Sequence, residues 1–348
     1  MSGGLRVAVV GATGAVGTTL LGLLRERRFP AREVVPFASE RSAGRTLDGG
    51  LVVRALADDA DLDGFDVALF SAGSTISREW APRFVDHGAV VVDNSSCWRM
   101  EPEVPLIVTE VNPEAVDAHR GIIANPNCSA MQALVVLKPI HDAAGLERIV
   151  FCSYQSTSGT GARAVQELKD QAHAILHESD PPAPDVYPHR IAFNVLPQVE
   201  TFKDGDPYTT EERKVIAESR KILGLPELRI TATCARVPVM NCHSEALNVE
   251  TRDELSPDAC QELLSRAPGV VVVDRPAEGR YPMASEVAGR DEVFVGRIRR
   301  DESNPRTLNL WVVGDNLRKG AATNAVQIAE LLLERELLPV SPSAQAAF

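Results

Sequence analysis

Apolar and polar positions alternate between two periods along the first part of the chain. Leu5 to Val10 is apolar except for Arg6, the profile of a parallel strand covered on both faces. From Thr18 to Arg28 the spacing becomes helical, with Leu20, Leu21, Leu23 and Leu24 on one stripe. Strand-like runs return at Glu33–Ala38, Asp66–Ser71 and Ala89–Asp93, with a helical stretch from Ile76 to His87 between the last two. This rhythm predicts a doubly wound parallel sheet whose ligands bind at the C-terminal ends of its strands. Later runs predict strands at Glu147–Tyr154 and Leu308–Val313 and a helix carrying Ala164, Val165, Leu168, Ala172, Ile175 and Leu176. They also predict a helix at Glu211–Leu223 and a final amphipathic helix at Lys319–Leu338. Thr209 and Glu212 have capping-box spacing ahead of the Glu211 helix, and Gly224 is placed to stop it. Thr231–Glu250 holds two strand-like segments with a break near Pro238–Cys242, which leaves the relative facing of Arg236 and His243 open.

Composition narrows the classes. The 348 residues allow two domains of ordinary size, and the net charge of -12 argues against sequence-independent nucleic-acid binding. An anionic ligand must then be drawn by a few locally placed cations. No apolar run reaches the length of a membrane span, and the N-terminus runs directly into a strand with no signal-peptide pattern, so a cytoplasmic location is expected. The six cysteines lack CxxC spacing, which points to reduced thiols, with neither a metal site nor a disulfide framework. Beyond the short tail Ser341–Phe348 there is no low-complexity tract, and there is no internal repeat. His177–His189 carries Pro181, Pro182, Pro184 and Pro188 and is expected to be an extended arm that contacts a partner.

Two kinds of turn carry chemistry. Gly11-Ala12-Thr13-Gly14-Ala15-Val16-Gly17 lies between a strand and a helix, where glycines let backbone N–H groups approach a pyrophosphate. Its GxxGxxG spacing is less specific than GxGxxG, and a tight turn with no ligand is the plain alternative. After the second strand comes Ser39-Glu40-Arg41-Ser42; Arg41 between serines suits a ribose 2′-phosphate and favours NADP over NAD, with Glu40 as contrary evidence. Arg99, just past another strand end, is placed to hold an anion near a cofactor, against the plain reading of a surface ion pair.

The second kind is Asn125-Pro126-Asn127-Cys128. Pro126 disfavours helix at Asn125, Asn127 is a good N-cap, and Cys128 falls in the first turn of an apolar helix. Unpaired N–H groups and the helix dipole favour a thiolate there, so Cys128 is a candidate nucleophile; most lone cysteines, however, are small buried hydrophobes. His243 has the side chain suited to proton transfer near neutrality, and Gln155, at the head of a second glycine-rich turn, can donate and accept hydrogen bonds. Glu211 and Lys214 lie one turn apart at the edge of their helix stripe, a spacing also consistent with a weak surface pair.

Six motifs in order now fit one pattern: Gly11–Gly17, Ser39–Ser42, Asn125-Pro126-Asn127-Cys128, Tyr154–Gly159, Arg236-Val237-Pro238-Val239 and Asp315–Ala322. From end to end the chain resembles the aspartate-semialdehyde dehydrogenase family. The resemblance implies an α/β protein: a Rossmann-type doubly wound domain over 1–128, completed by 319–348, and an α+β substrate and dimerisation domain over 129–318. It implies that Cys128 is the acyl-thioester nucleophile and His243 the acid/base, that Gln155 and Arg236 bind the amino-acid part, Glu211 its amine, and Arg99 and Lys214 phosphate. NADP would contact Gly11, Thr13, Gly14, Ala15, Val16, Ser39, Arg41, Ser42, Ser158, Gly159 and Asn316. The implied protein is a homodimer that interconverts aspartate semialdehyde and aspartyl phosphate in lysine, diaminopimelate, methionine, threonine and isoleucine biosynthesis. Cys242 departs from the pattern, because the family often has glycine before the histidine. N-acetyl-glutamyl-phosphate reductase is the nearest rival, but its cysteine motif reads more like Pro-Gly-Cys-Tyr. A non-catalytic NADP sensor is the rival from another class, and the presence of both Cys128 and His243 argues against it.

Overall fold

The computed structural model describes residues 4–338, so the Ser341–Phe348 tail lies outside the described residues. The chain forms two compact units. One comprises the chain up to Pro126 and again from Ala321; the other is Asn127–Gly320.

In the first unit, β1 (Leu5–Val10) leads through the glycine turn into α1 (Ala15–Glu26) and β2 (Ala31–Ala38). A small hairpin of β3 (Thr46–Leu47) and β4 (Leu51–Val52) precedes β5 (Arg54–Ala55), β6 (Val67–Phe70), α2 (Ser74–Asp86), β7 (Val90–Asp93) and β8 (Ile122–Ala124). The main sheet has the order β5-β2-β1-β6-β7-β8 and every pairing is parallel. The expected doubly wound sheet is present, and its reason is visible in burial: β6 and β7 are buried at every position. α1 begins at Ala15, three residues before the expected Thr18, because Gly17 is already helical.

The second unit opens with α3 (Cys128–Ala144), β9 (Leu146–Gln155), α4 (Ala162–Leu176), α5 (Thr210–Leu223), β10 (Arg229–Arg236) and β11 (His243–Thr251). It continues through α6 (Pro257–Ser265), β12 (Val270–Val272), α7 (Ala284–Val287), β13 (Val293–Arg300) and β14 (Thr307–Gly314). Its sheet, β10-β9-β11-β14-β13-β12, is mixed: the outer pairs β10/β9 and β13/β12 are parallel and the inner pairs antiparallel. Thr231–Glu250 resolves into two separate strands, so Arg236 ends β10 and His243 begins β11. The capping box at Thr209 and Glu212 is formed, and Gly224 ends α5 in the left-handed region at φ 67°.

The chain then re-enters the first unit. A π-helical turn over Arg318–Ala322 stands where an α-helix is expected from Lys319, and α8 (Thr323–Glu334) follows. Ala325, Val326, Ile328, Ala329 and Leu332 of α8 are buried in one core with Leu20, Leu23 and Leu24 of α1 and with Val7 and Val9 of β1. At roughly 1.5–3 kcal/mol for each large side chain buried, that face accounts for the return of the C-terminal helix. Among the described residues, no helix is long and apolar enough to cross a membrane.

Candidate active site

In the first unit, the glycine turn is shaped by close approach. Gly11 has φ +85°, and a Cβ there would lie 2.2 Å from the Ser71 carbonyl oxygen, so only glycine fits. A Cβ on Gly17 would meet the Gly11 oxygen at 2.2 Å. Gly14 differs: its φ is -82°, and a Cβ would touch only the Gly11 oxygen, at 3.4 Å. The space in front of Gly14 is thus open to a ligand, and no side chain caps the start of α1. The N–H groups of Ala15, Val16 and Gly17 are the unpaired donors of a first helical turn. Thr13 lies within this turn. Ser39 and Arg41 are exposed and Ser42 half-buried in the short turn that ends β2, whose Phe37 oxygen accepts hydrogen bonds from Gly11 and Ala12. Among the described residues, Arg41 holds no ion pair. An uncapped helix N-terminus after a glycine turn suits a phosphate of a dinucleotide. Arg99 is buried, and its Nε and Nη2 donate to the Asn125 and Asn94 carbonyls at 2.9 and 2.8 Å, which fixes the guanidinium.

In the second unit, Asn127 caps α3 as expected: its Oδ1 accepts the Ser129 and Ala130 N–H groups at 2.9 and 3.1 Å. Cys128 is therefore the first helical residue, and its Sγ lies 3.2 Å from His243 Nε2. Burial pushes up the thiols of Cys97, Cys152, Cys234, Cys242 and Cys260. His243 is fully buried, and burial together with the nearby Arg236 cation pushes its pKa down to about 3. Its ring is neutral at physiological pH. The Ser156 backbone N–H donates to Nδ1 at 3.1 Å, so the hydrogen of the neutral ring sits on Nε2 and faces Cys128. Gly159 lies against the same edge of the ring, where a Cβ would come 3.2 Å from His243 Cε1 and 3.3 Å from Nε2.

The ends of β9 and β10 bring in Gln155 and Arg236, which are neighbours across the parallel pairing. Arg236 is buried; its Nη1 donates to the Ser156 carbonyl at 2.6 Å, while its Nε is buried with no protein acceptor. A buried guanidinium with an unsatisfied N–H is a prepared site for an anion. Glu211, 3% exposed, accepts two hydrogen bonds from Asn127 Nδ2 and one from Gln155 Nε2, all within 3.0 Å. Lys214 pairs with Glu200 and lies 3.9 Å from Glu211. Ser158 and Asn316 bond to each other, and Asn316 Oδ1 also accepts from Ser156 Oγ and from the Cys242 N–H at 3.0 Å.

Three contributors were not visible as site residues. Asn127 reads as a cap, yet it also ties the nucleophile's helix to Glu211, and its own N–H donates to Glu218 at 2.6 Å. Ser156 sits inside the Gln155–Gly159 motif; both its backbone N–H and its Oγ meet His243 Nδ1, at 3.1 and 3.2 Å, and neither contact is marked by the residue type or its spacing. Glu218 is seven residues from Glu211, the spacing of one helix face, which was the available signal.

A parallel-sheet unit with an open glycine turn, joined to a mixed-sheet unit carrying a half-buried cysteine against a buried histidine, defines a two-domain dinucleotide-dependent dehydrogenase. Residues 6–119 match the semialdehyde dehydrogenase NAD-binding domain and residues 137–319 the semialdehyde dehydrogenase dimerisation domain. The chain belongs to the aspartate-semialdehyde dehydrogenase family. It is 52% identical over 340 residues to the aspartate-semialdehyde dehydrogenase of Aquifex aeolicus (strain VF5), covering 96% of this chain and all of that one. It is 50% identical over 347 residues to that of Legionella pneumophila, covering 98% and 99%. Among solved structures, aspartate semialdehyde dehydrogenase II of Vibrio cholerae complexed with ASA superposes with a TM-score of 0.92 at 44% identity, covering 96% of this chain and 99% of that one.

Proposed function

We propose that the protein is an NADP-dependent phosphorylating dehydrogenase that converts L-aspartate 4-semialdehyde and phosphate to L-4-aspartyl phosphate, with the reductive reverse as its physiological direction. The 3.2 Å approach of Cys128 Sγ to His243 Nε2 carries this reading, in a chain half identical over its length to relatives of that name. The Cys128 thiolate adds to the aldehyde carbon, and the Nε2–H of His243 donates to the oxygen that becomes negative. Arg236 Nε and Gln155 hold the α-carboxylate, and Glu211 balances the ammonium group. NADP, when bound, supplies the hydride acceptor. It would be held in the first unit by Gly11 to Val16, Ser39, Arg41 and Ser42. Loss of hydride leaves a thioester on Cys128; phosphate, drawn by Lys214, attacks it and releases the thiolate. Ser158 and Asn316 have a role within the chain, since their bonds hold the Cys242–His243 corner.

The match of residues 137–319 to a dimerisation domain supports a homodimer. We place the protein in the cytoplasm and its reaction in the branched synthesis of lysine, diaminopimelate, methionine, threonine and isoleucine.

A substrate panel followed by NADPH absorbance tests the reading. Rapid, phosphate-dependent reduction of NADP is expected with aspartate semialdehyde, and little with N-acetyl-glutamate semialdehyde, which offers Glu211 no cation. Equal rates on both, or turnover to the free acid without phosphate, would overturn the assignment. A strong preference for NAD would move the cofactor choice from Arg41 to Glu40.

A further inference from the structure

The proline-rich segment after α4 is bound to its own unit at successive points. Glu167 Oε2 on α4 accepts the Asp185 and Val186 N–H groups at 2.9 and 2.6 Å. One turn on, Gln171 Oε1 accepts those of Ile191 and Ala192 at 3.0 and 3.2 Å. Both side chains are buried. Leu168, Ile191, Ala192 and Leu196 form a small core beneath, with Tyr187 packed against it. Two buried side chains on one helix face, each receiving two backbone N–H groups, give this arm a fixed path.

That path ends on Arg236. Leu196 and Arg236 exchange backbone hydrogen bonds in both directions, at 2.9 and 2.8 Å. Farther back in the arm, the half-buried Tyr187 presents its ring to the Arg236 guanidinium, with Cζ 5.9 Å from the ring centroid. The Tyr187 hydroxyl donates to Thr160 Oγ1 at 3.0 Å, in the same turn as Ser158 and Gly159. The arm therefore holds Arg236 twice, by its main chain at Leu196 and by its charge at Tyr187. The Ser156 carbonyl takes one guanidinium N–H, and the buried Nε is left for an anion.

We infer that Tyr187 is a positioning residue for substrate recognition: its ring covers the Arg236 guanidinium, excludes water from it and so strengthens its hold on the substrate's α-carboxylate. The inference rests on the proposed carboxylate role of Arg236. A cation whose water is replaced by an aromatic face keeps its charge but loses competitors for its N–H groups. The prolines fit this role, because an arm already restricted in φ loses less entropy when it is pinned.

The full-length enzyme with Tyr187→Ala, Tyr187→Phe and Arg236→Ala tests this. Tyr187→Ala should raise KM for aspartate semialdehyde by roughly 5- to 30-fold, with kcat within about threefold and NADP affinity unchanged. It should also narrow the preference for that substrate over 3-aminopropanal, which lacks the carboxylate. Tyr187→Phe keeps the ring face and should restore KM to within about twofold, so the effect is not that of the hydroxyl. If Tyr187→Ala does not fold, Tyr187→Leu takes its place, filling the volume without the aromatic face. If Arg236→Ala raises KM strongly while Tyr187→Ala does not, this inference fails and the site assignment stands. If Arg236→Ala leaves KM unchanged, the carboxylate assignment itself fails. A Tyr187→Ala variant that loses kcat and thermal stability together, with KM intact, would mark the arm as merely structural and also overturn the inference.

Discussion

Two helices, α1 and α3, begin just after a strand and a tight turn, and their first turns are used in opposite ways. α1 starts at Gly14 with no side-chain cap and no acidic residue in its first turn, so no side chain takes its first N–H groups. α3 starts at Asn127, whose Oδ1 takes two of those N–H groups and whose Nδ2 is held by Glu211. An uncapped start keeps its donors for a diffusing anion; a capped start commits them and holds the next residue still. The chain thus has one helix end suited to binding a phosphate and one suited to presenting a nucleophile. The distinction comes from a single residue type at the cap position.

The largest effect that tests this contrast is at Cys128. Cys128→Ser keeps the cap and the size of the side chain but removes a thiolate, so turnover should fall by roughly 10³-fold or more while NADP binding is retained. Brief alkylation followed by mass spectrometry should find the label at Cys128, since burial raises the other five thiols. A serine variant with normal turnover would mean that the capped helix end does not present the nucleophile.

At the open helix, Arg41 carries the next effect. Arg41→Ala should weaken NADP by about 10- to 150-fold and leave NAD almost unchanged, as read by titration calorimetry. Equal loss for both cofactors would reduce Arg41 to a structural part of its turn. The cap itself comes third. Asn127→Ala should lower stability by about 0.5–2 kcal/mol in denaturant unfolding, because two N–H groups lose their acceptor. Activity should fall more than stability does, since Glu211 also loses two of its donors. An unchanged kcat/KM would show that the cap only stabilises the helix.

How much of this could be read from the sequence depended on distance along the chain. The α3 start was legible because a proline, an asparagine and a cysteine in consecutive positions act through local sterics and local hydrogen bonds. The parallel sheet was legible because β6 and β7 are buried on both faces and so read as unbroken apolar runs. Glu211 was singled out, but not its bonds to Asn127 and Gln155, which join residues 84 and 56 positions apart. Tyr187 over Arg236 was hidden in the same way: it depends on where the arm turns, and the proline pattern says only that the arm is extended. The π-helical turn at Arg318–Ala322 lay within a run of good helix formers, and nothing in their spacing separates π from α.

Protonation gives the fourth test. The folded pKa of His243, about 3, lies far below the ordinary histidine value of about 6.5, so protons bind preferentially to the unfolded chain. Its contribution to stability is fully present above pH ~6.5 and is lost as pH falls toward 3, by up to about 1.4 kcal/mol per pH unit. His243→Gln cannot titrate and should lack that slope when urea midpoints are compared between pH ~6.5 and ~4. Parallel profiles for the two proteins would mean that the ring is solvated, and the α3 end would no longer face a neutral hydrogen-bond donor.

The smallest effect concerns Cys242, the residue just before His243. It is 1% exposed and holds φ at 70°, in the left-handed region where a side chain is strained, while its N–H is fixed by Asn316. Its thiol packs with Val287, Phe294 and Val313, so strain and burial oppose each other at one position. Comparing two variants separates them. Cys242→Ala loses the thiol's packing and keeps the strain. Cys242→Gly loses the packing and releases the strain, at a cost in unfolded-state entropy. Glycine should therefore be the more stable of the two by about 1 kcal/mol in urea unfolding, the reverse of their order in ordinary backbone. The comparison extends to the active site, because the left-handed turn at residue 242 sets the direction in which β11 begins. If both variants keep the wild-type kcat, the His243 position is fixed by Ser156 and Gly159 rather than by the turn. If alanine proves the more stable, Cys242 is not strained, and the departure from glycine at this position carries no energetic consequence.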